Sequence, residues 1–180
     1  MLPLPPLWIA AAIGAFKRAK SGATVKDGGS LRLFWLVIPL AIALGFVLAA
    51  GFPRLALPFA PALAIAGNLL ALAGLALRWY AIVYLGRWFT VNVAIAADQP
   101  LIDRGPYRRI RHPSYTGALL SMLGVGLSLG NGLALAAMSL SILPVFLHRI
   151  RIEEQALAQA FGTRWQDYCE RSWRLLPGVY

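Results

Sequence analysis

The segment Arg104 to Gly117, RGPYRRIRHPSYTG, gathers four arginines, a histidine, two tyrosines and two prolines between long apolar runs. Pro113 suits the first turn of a helix, where the N–H that proline lacks would be unpaired anyway. His112 then stands at the mouth of the following apolar helix, with free backbone N–H groups just inside it. Such a place can hold an anion or a polar cofactor at a membrane edge. Taken alone, the arginines fit a loop that only anchors orientation. That explanation leaves His-Pro-x-Tyr unaccounted for. Downstream, Arg149, Arg151, Glu153 and Glu154 form a second charged group. Arg149 and Glu153 are spaced i, i+4 and share a helix face. On an exposed surface such a pair is worth about 0.3–0.5 kcal/mol. Buried beside a membrane helix and near His112, it can orient an anionic group or a zwitterion.

Membrane helices must position these residues. The chain has 180 residues, 59% hydrophobic and 13% charged, with a mean hydropathy of +0.65. Soluble domains carry about a quarter charged residues, so this composition marks a membrane protein. The net charge of +10 falls in the gaps between apolar runs. That placement suits an anionic membrane leaflet and argues against a nucleic-acid partner. The single cysteine, Cys169, excludes an intramolecular disulfide and a multi-cysteine metal site.

The apolar runs predict spans at 33–50, 56–77, 114–130 and 132–147. A short span is also expected at 3–16, about 21 Å of helix. The expected fold is an all-α integral membrane protein with about five transmembrane helices. It includes a helical hairpin over 114–147, turned at Gly130-Asn131, and a polar tail helical through Phe161. Asn68 is read as an interhelical packing residue, and Gly124, Gly126 and Gly130 as points of close helix approach. Loops 17–32 and 78–113 and the tail from His148 hold five, six and five Lys/Arg, against Arg54 alone on the other side. All seven acidic residues share the basic side. This asymmetry predicts an outside N-terminus and a polar pocket on the cytosolic face.

Several familiar sites are absent from the sequence. No strand–GxGxxG–helix unit or Walker-type loop is present, and no Ser-His-Asp set suggests itself. His112 and His148 lie 36 positions apart with no third ligand in view, so no metal site is expected. Acids within the spans, which an ion or proton path would need, are missing.

GPYRRIRHPSYTG, a helical hairpin, Arg149-x-x-x-Glu153-Glu154 and FGTRWQDYCERSWRLLP follow one another in order. Together they resemble the isoprenylcysteine carboxyl methyltransferase family, a signature shared with membrane phospholipid N-methyltransferases. The resemblance covers about residues 78–177, while the N-terminal spans match only in being apolar. It implies an all-helical membrane enzyme that uses S-adenosylmethionine without a Rossmann domain. It also implies a division into residues 1–77, N-terminal helices of about three spans, and residues 78–180, a methyltransferase core.

Carried over by position, the resemblance gives the cofactor to Asn92, the run Gln99, Pro100, Leu101 and Ile102, and Tyr107. His112, Pro113, Ser114, Tyr115, Glu153 and Glu154 complete that pocket, and Arg149 faces the methyl acceptor. Arg149 and Glu153 are the expected catalytic pair. Gln99 stands where the prenylcysteine enzymes carry histidine, and Asn92 where they carry glutamine; both still form hydrogen bonds. The acceptor is expected to be lipophilic and to enter from the bilayer, among membrane lipids, while the cofactor enters from the cytosol. A carboxylate acceptor needs no general base. An amine acceptor would make Glu153 or Glu154 a candidate base. The alanine- and arginine-rich composition suggests a GC-rich bacterial genome, hence an inner membrane and an acceptor other than a prenylated protein. A sterol-type NADPH reductase shares a similar His-Pro-x-Tyr segment, but Ala118 stands where those enzymes tend to carry glutamate. A non-catalytic membrane anchor would leave the one-sided polar cluster without a use.

Overall fold

The computed structural model describes residues 24–25, 29–90, 94–96 and 98–180. Five helices account for most of these: α1 (Ser30–Gly51), α2 (Ala60–Leu85), α3 (Pro113–Ser128), α4 (Gly132–Phe161) and α5 (Thr163–Glu170). A two-residue antiparallel pairing of β1 (Thr24–Val25) with β2 (Ala94–Ile95) is the one sheet among the described residues. Three helices, α1, α2 and α4, are long and apolar enough to cross a membrane. The fold is that of an all-helical integral membrane protein. The short span expected at 3–16 lies outside the described residues.

The element limits differ from the hydropathy reading where polar residues remain helical. Helix α2 runs on to Leu85, well past the expected end at 77, and carries Arg78 within it. Helix α4 continues without a break from the hairpin turn to Phe161, through Pro144. The polar tail expected to be helical through Phe161 is therefore the second half of a 30-residue helix. Helix α3, with 16 residues, is about 24 Å long at 1.5 Å per residue. That is shorter than the roughly 30 Å hydrocarbon core.

Helix α3 lies against α2 along a seam of small residues. A Cβ placed on Gly74 would come within 2.5 Å of the Gly117 carbonyl oxygen, and one on Gly67 within 2.6 Å of that of Gly124. The two backbones thus touch with no side chain between them, the arrangement small residues permit in membrane helices. Ser121 Oγ crosses the seam to the Ala71 carbonyl at 3.1 Å. Gly124 thus has the role expected of it. Asn68 does not, because its Nδ2 donates to Ala64 O at 2.8 Å within its own helix and the residue is exposed. An amide can satisfy itself one turn back when no neighbour approaches.

Helix α1 packs on α4 through Ala41, Met138, Ile142 and Phe146, with Phe34, Ile38 and Ile42 around them. At the far end, Gly130 (φ 60) makes the α3–α4 turn and Asn131 caps α4 through Ala134 N at 3.0 Å. Asn131 Nδ2 also donates to Phe52 O at 2.8 Å, tying this turn to the α1–α2 turn. The first turns of α1 and α3, the end of α2 and the polar half of α4 all meet at the opposite end. That is where the charged residues gather.

Candidate active site

A cavity of about 360 Å³ opens at this meeting point. The start of α1 contributes Phe34 and Trp35, the end of α2 contributes Arg78 and Trp79, and α4 contributes Arg149 and Glu153. His112, Ser114 and Tyr115 line it from the mouth of α3, and Gln99 to Ile102 and Tyr107 from the connecting loop. Trp88, Phe89, Leu157, Phe161 and Trp165 make the rest largely apolar and aromatic. A mostly apolar recess with a few converging polar groups is the usual form of a small-molecule site.

Pro113 begins α3 as expected, with His112 at its N-cap. The His112 carbonyl already accepts from Tyr115 N at 3.0 Å and Thr116 N at 2.9 Å. The imidazole is buried (4% exposed) and stacks on Tyr115 with centroids 5.6 Å apart. Its Nε2 lies 3.4 Å from Glu154 Oε1, and its Nδ1 lies 3.9 Å from Glu153 Oε2. The adjacent glutamates therefore approach opposite edges of one ring.

Arg149 is equally buried (4% exposed) although it carries a permanent charge. Its Nε donates to the Tyr115 hydroxyl at 2.9 Å, and the guanidinium lies over the Phe34 ring at 5.9 Å. On the predicted Arg149–Glu153 face, Arg149 is thus buried against Tyr115 while Glu153, its side chain 35% exposed, lines the same cavity. Arg78 Nη1 reaches both the carbonyl and Oγ of Ser114 at 3.2 Å, bringing a second guanidinium to the cavity wall.

Glu154 turns away from the cavity. Its Oε1 accepts from Arg111 Nε at 3.0 Å and its Oε2 from Arg174 Nε at 2.8 Å. Burial works to lower the Arg174 pKa, but the bond to Glu154 and its charge raise it. Arg111 Nη1 also donates to Cys169 O at 3.1 Å and to the carbonyl of Ser172. Backbone bonds from Trp173 N to Arg109 O (2.9 Å), Arg111 N to Trp173 O (2.7 Å) and His112 N to Arg174 O (3.1 Å) complete the join. The segment after α5 is stitched to the chain that enters α3. Tyr107 donates to Ala81 O at 3.3 Å and accepts from the Tyr168 hydroxyl at its carbonyl. Burial, with the Glu153 charge added, pushes the Tyr107 pKa up, so the phenol stays protonated.

Of the residues expected at the site, Gln99, Pro100, Leu101, Ile102, Tyr107, His112, Ser114, Tyr115, Arg149 and Glu153 share the cavity wall. Pro113 is buried behind it, Glu154 lies behind His112, and Asn92 falls outside the described residues. Gln99 Oε1 accepts from Ala96 N at 3.3 Å, closing a local turn. The sequence reading missed Arg78, Phe34 and Trp35. A lone arginine interrupting an apolar run at Arg78 was the available signal.

The isoprenylcysteine carboxyl methyltransferase family model matches residues 66–159, which is 94 of the 180 residues. The chain belongs to this family. The matched stretch runs from the α2 seam through most of α4 and so contains Arg78, His112, Arg149 and Glu153. A probable protein-S-isoprenylcysteine O-methyltransferase of Oryza sativa subsp. indica is 33% identical over 115 residues, covering 63% of this chain and 60% of that protein. A Delta(14)-sterol reductase of Mus musculus is 32% identical over 91 residues, covering 49% of this chain and 22% of that protein. Among solved structures, the eukaryotic intramembrane Ras methyltransferase of this family gives a TM-score of 0.66 at 25% identity. That match covers 99% of this chain and 55% of the other. The chain therefore spans 60% or less of the length of these relatives.

Proposed function

We propose that this protein is an S-adenosylmethionine-dependent methyltransferase that esterifies a carboxylate on a lipophilic acceptor at the membrane surface. The observation that carries the reading is Arg149, buried at the cavity wall with its guanidinium held by Tyr115. The donor and acceptor set fits the cofactor. Glu153 and His112 suit an ammonium group, and Trp79, Trp88 and Phe89 suit an adenine face or a sulfonium cation. When bound, S-adenosylmethionine supplies an electrophilic methyl group. A carboxylate is already ionised at neutral pH, so the chain must orient and dehydrate the acceptor rather than deprotonate it. Arg149 would hold one carboxylate oxygen and leave the other free to attack. The aromatic wall around Phe34 and Trp35 would take the apolar part of the acceptor, entering from the bilayer. Positive charge concentrated at this end supports a cytosolic site. The names of the curated relatives point to the same acceptor chemistry.

Calorimetric titration of the detergent-purified chain with S-adenosylhomocysteine, and separately with NADPH, tests the reading. Binding of the first alone is expected; binding of NADPH alone would favour the reductase chemistry of the mouse relative. Arg149→Ala should lower turnover roughly 100-fold, as expected for a removed charged orienting group, with cofactor affinity largely kept. Unchanged turnover would remove Arg149 from the acceptor site.

A further inference from the structure

The neighbouring glutamates of α4 face different partners. Glu153 lines the cavity, whereas Glu154 is gripped from behind by Arg111 and Arg174. We propose that Glu154 and Arg174 are positioning residues that fix the His112 imidazole in the cofactor cavity without touching the cofactor themselves. The inference rests on the cofactor reading of that cavity.

The geometry supports it at several points. Both carboxylate oxygens of Glu154 are engaged, Oε1 by Arg111 and His112 and Oε2 by Arg174, so the carboxylate plane cannot turn freely. A carboxylate that faces Nε2 favours the proton on that nitrogen. This sets the ring's orientation and leaves Nδ1 toward Glu153. Arg174 is itself braced, with Nη1 on the Tyr180 hydroxyl at 3.1 Å and its guanidinium 5.1 Å from that ring's centre. It meets His112 by two routes: its carbonyl accepts from His112 N at 3.1 Å, and its side chain acts through Glu154. Truncating the side chain cuts the second route and keeps the first. The Arg174 side chain is 38% exposed against 10% for Arg111, so water can take its place at Glu154 Oε2 more readily than it could replace Arg111 at Oε1.

The test is S-adenosylhomocysteine affinity, by calorimetry on the full chain in detergent, for wild type, Arg174→Ala, Arg174→Lys, His112→Ala and the His112→Ala/Arg174→Ala double variant. Arg174→Ala should weaken binding about tenfold, the effect of one lost charged hydrogen bond, and Arg174→Lys should recover most of it. The double variant should bind no more weakly than His112→Ala, because a residue acting through another adds nothing once that other is gone. Unchanged affinity in Arg174→Ala, or full additivity with His112→Ala, overturns the proposal. If Arg174→Ala does not fold, the isosteric Glu154→Gln carries the same expected loss and the same non-additivity. A wild type that binds no S-adenosylhomocysteine would overturn the cofactor reading and this inference with it. Binding by wild type and equally by the variants would overturn the inference alone.

Discussion

Against α2, helix α3 is seated mainly by glycine backbones, with the Ser121 hydroxyl crossing the seam and Arg78 reaching Ser114 at its end. At its first turn the same helix is held by arginines, a glutamate and a run of backbone hydrogen bonds from the segment after α5. The first contact fixes a distance and tolerates almost no added volume, since the atoms that would collide belong to the backbone. The second fixes a direction and shares its charge among several partners. One side sets how close α3 stands, and the other sets where His112 points.

Substitutions on the two sides should behave differently. The largest loss is expected for Arg111→Ala. This removes a guanidinium bonded to Glu154, Cys169 and Ser172 and leaves a mostly buried carboxylate with fewer partners, at about 3 kcal/mol. Denaturation in detergent would measure it. A loss below 1 kcal/mol would mean that Arg174 and the backbone bonds hold the join unaided. Gly117→Ala comes next, because its Cβ would lie 2.5 Å from Gly74 O and 2.6 Å from Arg78 N. Such overpacking costs about 1–3 kcal/mol and should displace Arg78 from Ser114. Equal stability of this variant would show that the seam is looser than the backbone contact implies.

Asn131→Ala removes both the α4 cap and the tie to Phe52, an effect of about 1 kcal/mol. It lies far from the cavity, so S-adenosylhomocysteine affinity should not change. Asn68→Leu is the smallest expected change, within about 0.5 kcal/mol, as its amide bonds only its own helix. A marked loss there would point to a contact made on the membrane-facing side of α2.

The spans at 33–50, 56–77 and 132–147 were legible in the sequence because a run of apolar residues is a local property that a bilayer reads residue by residue, whereas the run at 114–130 became a helix too short to count as a span on its own. The crowding of charge at one end was legible for the same reason, as was the start of α3, since Pro113 restricts its own backbone. The Arg149–Glu153 face followed from helical spacing alone. The length of α2 beyond residue 77 was not legible, because Arg78 reads as a terminator unless its hydrogen bond to Ser114, 36 residues away, is known.

Sequence alone set the apolar stretches of α1 to α4, the order of the chemical groups along them and the proline that opens α3, but not the end of α2 or the helix α5. The tertiary structure decided which groups face the cavity and which stand behind it. Glu153 and Glu154 are neighbours in sequence, yet successive helical residues point about 100° apart. Only the docking of α3 and the segment after α5 decides which of those directions is the cavity. Arg111, Arg174 and Glu154 meet across gaps of 43 and 20 residues, and no local pattern encodes such a meeting. It follows from how closely the Gly74–Gly117 seam lets α3 approach α2, and from where the segment after α5 can pair its backbone.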